Sequence, residues 1–101
     1  MPPSSNHGLS IAAASLALSD LTRWKIIVEL SGGEPRMVSE LAKLTNKSVP
    51  VISKHMAVLR RLGIVMIGRG RLYHLEPQFL PAPGSSEIDF GPCIIRLDRA
   101  K

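Results

Sequence analysis

A chain of 101 residues, 45% hydrophobic and 21% charged, is long enough for one domain with a core, leaves little room for a second and is not disordered as a whole. Its four aromatic residues (one Trp, one Tyr, two Phe) make that core aliphatic, and a single cysteine, Cys93, excludes a disulfide framework or a Cys-rich zinc finger and fits a reducing cytoplasm. The net charge of +5 is concentrated: Leu41–Leu75 holds seven Lys and Arg and no acid, against six basic and eight acidic residues elsewhere, the footprint of a face that binds a polyanion.

Met1–Gly8 (MPPSSNHG) reads as a loose tail. Leu9–Leu18 is Ala-rich, with Leu9, Ala13 and Leu16 on one face, and predicts a first helix. The stretch also resembles a signal sequence, but no Lys or Arg precedes Arg23, and it is too short to span a bilayer. Asp20 is a good N-cap for a second helix, in which Leu21, Trp24, Ile27 and Val28 recur at helical spacing up to Leu30. Gly32-Gly33 and Pro35 stop it. A third, short helix is expected with Ser39 as N-cap, Glu40 in its first turn and an apolar face of Leu41, Ala42 and Leu44, broken at Thr45-Asn46.

Ser48 caps a fourth helix, with Pro50 in the first turn, where a missing N–H costs nothing. Ile52, Met56, Leu59 and Gly63 mark its inward stripe, and Val49, three residues before Ile52, is read as inward too. Ile64–Ile67 and Arg71–Leu75 are strand-like and separated by Gly68-Arg69-Gly70, a hairpin with a basic tip whose glycines permit a positive-φ turn. From Glu76 onward, Pro77, Pro81, Pro83 and Gly84 predict a linker without helix. Ile88–Leu97 reads as an extended segment interrupted at Gly91-Pro92.

The expected fold is therefore mainly α with a small β-hairpin wing, a winged helix-turn-helix over residues 9–75. Residues 1–8 form a tail, and residues 76–101 a Pro-rich linker and an extended segment available for a dimer contact. A helix fits the major groove of B-DNA, its N-terminus turns free N–H groups toward phosphate, and a basic hairpin tip reaches the flanking backbone. The predicted DNA-binding residues are Lys47, Ser48, Val51, Ser53, Lys54 and His55 on the fourth helix, with Arg69 and Arg71 on the wing.

Several runs resemble the ArsR/SmtB family of winged-helix repressors, over Leu18 to Leu75. Asp20-Leu21-Thr22-Arg23 followed by Ile26-Ile27 is similar to the family's second-helix opening, and Val38-Ser39-Glu40-Leu41-Ala42 to the helix before the turn. Ser48-Val49-Pro50-Val51-Ile52-Ser53-Lys54-His55-Met56, with Leu59-Arg60 and Leu62-Gly63-Ile64-Val65, resembles the recognition helix and its exit. Gly70-Arg71 and Tyr73 resemble the wing. The resemblance implies a cytoplasmic, homodimeric repressor of double-stranded DNA. Two departures stand out. Metal-sensing members carry Cys-x-Cys before the turn, where this chain has no Cys or His in Ser39–Leu44, and many members end in a long helix where this chain is Pro-rich. Three scattered His and one Cys make no metal cluster, so neither metal nor cofactor is expected.

Other readings carry less. No nucleophile–base arrangement or phosphate loop points to an enzyme. Single-strand RNA readers use aromatic platforms, and this basic stretch offers only Tyr73. A winged-helix protein-interaction module without DNA binding is the alternative, and the acid-free stretch argues against it. Trp24 is expected in the core, His74 within a strand, and Cys93 as a small hydrophobe.

Overall fold

The computed structural model describes residues 8–97, so all but Gly8 of the expected tail lies outside the described residues. Four helices come first: α1 (Ile11–Leu18), α2 (Leu21–Leu30), α3 (Val38–Thr45) and α4 (Val49–Arg61). Two antiparallel hairpins follow, β1 (Val65–Ile67) with β2 (Tyr73–Leu75), then β3 (Glu87–Asp89) with β4 (Ile94–Arg96).

Each helix starts where an orphan N–H finds an acceptor. Ser10 Oγ accepts from the Ala13 N–H at 3.0 Å, Asp20 Oδ1 from the Arg23 N–H at 3.0 Å, and Ser48 Oγ from the Val51 N–H at 3.4 Å. The start of α3 differs from the expectation at Ser39. Met37 holds the cap position, and Glu40 reaches back to accept from the Met37 N–H at 2.9 Å. A carboxylate three residues into the helix can thus secure a start whose own side chain accepts nothing. The other end of α3 is closed by Asn46 in the left-handed region (φ 57°), with the Lys47 N–H donating to the Ala42 carbonyl at 3.0 Å. That break turns the chain into α4.

The core joins Ile26, Ile27 and Leu30 of α2, Leu41 of α3 and Ile52, Met56 and Leu59 of α4 to Ile64 and Leu75 at the first hairpin. The α4 stripe is as expected; α1 is not. Its buried residues are Ala14 and Ala17, while Leu16 and Ile11 face outward. A helix of Ala, Leu, Ile and Ser has no polar face to orient it, and small side chains allow the closer approach. Leu21 and Leu44, counted on inward faces, are also exposed.

The first hairpin pairs Val65 with Leu75, Met66 with His74 and Ile67 with Tyr73. Its connection is a 3-10 turn over Arg69–Arg71, so Arg71 belongs to the tip rather than to the second strand. Positive φ falls on Gly70 (70°) and, unexpectedly, on Arg71 (60°) instead of Gly68.

The stretch expected as a linker packs into the same core. Pro77–Phe79 forms a 3-10 turn that buries Phe79, whose ring centroid lies 5.1 Å from that of Phe90. Ile88 is buried beside them on β3. Prolines mark where regular structure stops, and two large aromatics between them outweigh that signal by the area they bury. The Leu9 N–H donates to the Phe90 carbonyl at 2.7 Å, tying the chain before α1 to this hairpin. Gly8 and Gly91 make that approach possible, since a Cβ on either would sit 2.9 Å from the other's Cα.

Candidate nucleic-acid interface

With Ile52 facing inward, Val51 and Ser53 stand roughly 100° to either side of it on α4, and Lys54 points away from the core. All three are exposed, as are Lys47 and Ser48 at the helix start. Ser53 lies on the flank that meets the wing. It lines a cleft of about 460 Å³ with Met37, Val38, Ser39, Val49, Ile67, Arg71 and Tyr73. The fold thus brings the N-terminal ends of α3 and α4 and the base of the wing around one opening, with the Arg71 cation at its edge. Arg69 is exposed on the tip beyond. Val49, expected inward, stands 46% exposed on this cleft, because the wing opens a space beside the first turn instead of closing on it.

His55 is placed differently. It shares the other flank of α4 with Val51, but its side chain is only 17% exposed and turns toward the start of α2. Its Nδ1 lies 3.2 Å from Arg23 Nη1, and its Nε2 lies 3.8 Å from Asp20 Oδ1. The Asp20 carboxyl is held below the ordinary carboxylate value, chiefly by the Arg23 backbone N–H that it caps, against a smaller opposing cost of burial. His55 is therefore turned into the scaffold, whereas Lys47, Ser48, Val51, Ser53 and Lys54 are exposed.

Backbone amides at the start of α4 add partial positive charge to Lys47 and Lys54, and no carboxylate of α4 or the wing opposes them. Glu40, the acid at the start of α3, is occupied by the Met37 N–H and lies 3.8 Å from Arg36. The charged side chains of α4 and the wing are thus all basic and exposed.

Residues 20–66 match the family model described as bacterial regulatory protein, arsR family. With the hairpin that follows, these residues have the winged helix-turn-helix fold of that family. No curated protein and no solved structure matches the chain. The ArsR-family match runs from the cap of α2 to the middle of β1, so it includes α3, the turn and the whole of α4. α1, the wing tip and the second hairpin lie outside it. Among the described residues no three His, Cys, Asp or Glu side chains come together as a metal site, and no helix is long and apolar enough to cross a membrane.

Two contributors left no plain signal in the sequence. Arg36 exchanges backbone hydrogen bonds with Tyr73, so the α2–α3 loop braces the wing, a pairing that no local pattern encodes. Arg23, quoted as part of the helix opening, proves to reach His55, 32 residues away.

Proposed function

We propose that this chain is a sequence-specific repressor of transcription that binds double-stranded DNA in the cytoplasm as a homodimer. In this reading α4 enters the major groove and the wing lies on the flanking backbone. Lys47, Ser48, Val51, Ser53 and Lys54 meet the DNA from the helix, and Arg69 and Arg71 from the wing. The observation that carries it is the exposed, acid-free surface made by the start of α4 and the wing within an ArsR-family domain. Pairing is supported by α1, which leaves Ile11 73% and Leu16 48% exposed. It is also supported by geometry, since two recognition helices roughly 34–36 Å apart are needed to read successive turns of one duplex face.

The test is fluorescence anisotropy with the protein's own upstream region across a salt series. If about four to six phosphates are neutralised per dimer, log K falls with log salt at a slope near −4 to −5. A flat response sinks the reading. Replacing Arg69 and Arg71 by Ala should weaken specific and random duplexes by similar factors and flatten the slope by about one per lost phosphate contact. Deleting residues 1–18 should leave a monomer of weak DNA affinity, read by analytical ultracentrifugation. A dimer that survives the deletion places the interface elsewhere.

A further inference from the structure

The guanidinium of Arg23 joins three parts of the molecule. Its Nε and Nη2 donate at 3.1 and 2.7 Å to the Leu16 carbonyl, which also accepts from Ser19 Oγ at 3.1 Å, and Nη2 reaches Ser19 Oγ at 3.4 Å. Its Nη1 is 3.2 Å from His55 Nδ1 on α4. A guanidinium can only donate, so His55 Nδ1 must accept, and in the neutral ring the proton resides on Nε2. That nitrogen faces Asp20 Oδ1 at 3.8 Å, the carboxylate that caps α2. One arginine thus closes α1, stands in the first turn of α2 and grips the middle of α4.

We propose that Arg23 is a positioning residue for DNA recognition: through His55 Nδ1 it fixes the recognition helix against α1, and DNA affinity depends on both side chains although neither touches DNA. The inference rests on α4 being the DNA-reading helix. A recognition surface must be held to within roughly 0.5 Å by side chains that are themselves locked. Without the strut, α4 keeps its apolar stripe but loses this polar tie to α1. Where α1 pairs with a second copy, the same tie carries the spacing of the two recognition helices.

The experiment uses the full chain and its own upstream DNA at fixed salt, with urea unfolding of each variant alongside. Asparagine places a carbonyl oxygen near the Nδ1 position of histidine, and glutamine places one near Nε2. Arg23→Lys keeps the charge but cannot reach Leu16 and His55 together. His55→Asn should stay within about twofold of wild type, while His55→Gln and Arg23→Lys each weaken specific binding about tenfold, and the double variant Arg23→Lys/His55→Gln little more than either alone. Equal loss in His55→Asn and His55→Gln, or losses that multiply in the double variant, would overturn the proposal. A wild-type protein that binds no duplex would defeat the DNA reading alone. The contact itself is decided separately by the nitrogen-15 spectrum of His55, in which a proton on Nε2 is expected and a proton on Nδ1 excludes the strut.

Discussion

Arg36 and Tyr73 exchange both of their backbone hydrogen bonds, at 2.9 Å from the Arg36 N–H and 2.7 Å from the Tyr73 N–H. The second strand of the wing is therefore held on both sides at its base, by Ile67 and by Arg36, while its tip projects free. The Arg36 side chain adds little to this. Its guanidinium lies 3.4 to 4.0 Å from Glu29, Glu34 and Glu40, all partly exposed, and its buried Nε has no partner. Exposed ion pairs contribute about 0–1 kcal/mol, so Arg36→Ala should cost no more than about 1 kcal/mol. Arg36→Pro removes the donor to Tyr73 and should loosen the wing. Amide exchange at Tyr73 checks this: slow in wild type and Arg36→Ala, fast in Arg36→Pro. Equally fast exchange in both variants would mean that the side chain braces the wing, and equally slow exchange that the Arg36 N–H does not.

The second hairpin is expected to be essential to folding. Phe90 is fully buried against Phe79 and accepts the Leu9 N–H through its carbonyl. Truncating a buried Phe to Ala typically costs about 3–5 kcal/mol, a large share of the stability of a domain this size. Phe90→Ala should lower the urea midpoint accordingly. A midpoint within experimental error of wild type would return residues 77–97 to the status of a linker.

The contrast between this hairpin and α4 shows where the sequence was readable. Ser48, Pro50, the stripe Ile52–Met56–Leu59 and Gly63 agree on one helix with one inward face, and the structure keeps all of them. There cap, period and stop are local signals that reinforce one another. In α1 a run of Ala, Leu and Ile offers little contrast between faces, so Leu16, expected inward, lies outward while Leu9 packs on the core. Around Phe79 and Phe90 the local signal was proline, and the deciding energy was burial against helices far away in the chain. The acid-free charge of Leu41–Leu75 could be counted in the sequence, and its seven Lys and Arg residues are all exposed. The placement of His55 could not, because its partners lie 32 and 35 residues back, in the start of α2.

Asp20 should give the protein an acid-sensitive step. Its carboxyl titrates below the ordinary value of about 3.9 because the charged form accepts the Arg23 N–H. A depressed carboxyl contributes stability that is complete above the unfolded value and is lost as pH falls through the lower folded value. Asp20→Asn retains a capping oxygen but not the charge, so near neutral pH it should behave much like wild type, with a flatter loss below about pH 4. Asp20→Ala loses the cap itself and should cost about 1 kcal/mol at neutral pH. Urea midpoints at neutral pH and through the acid limb compare the three proteins. If wild type and Asp20→Asn fall in parallel below pH 4, another carboxylate is responsible.

The sharpest expectation concerns the first turn of α4. The ArsR/SmtB resemblance implies polar residues where Val49 and Val51 stand, groups that hydrogen-bond base edges. Here both side chains are apolar and both are exposed, Val49 by 46% beside the wing and Val51 by 41% on the opposite flank. A valine in the groove neither donates nor accepts, but it can pack on the C5-methyl of thymine, the one apolar group that the major groove presents. With Ser53 and Lys54 supplying polar contacts, the half-site should prefer thymine at the position under Val51. Val51→Ser should relax that preference at a cost of about 1 kcal/mol, within the roughly 1–3 kcal/mol of a single base mismatch. Because Val51 is exposed, the substitution should leave the urea midpoint nearly unchanged, which separates a lost base contact from a damaged core. Replacing thymine by uracil removes only the methyl, so the same loss should appear with wild-type protein on uracil-substituted DNA and vanish with Val51→Ser. Unchanged affinity after uracil replaces every thymine of the operator would show that Val51 reads no methyl, and the apolar first turn would then need a different partner.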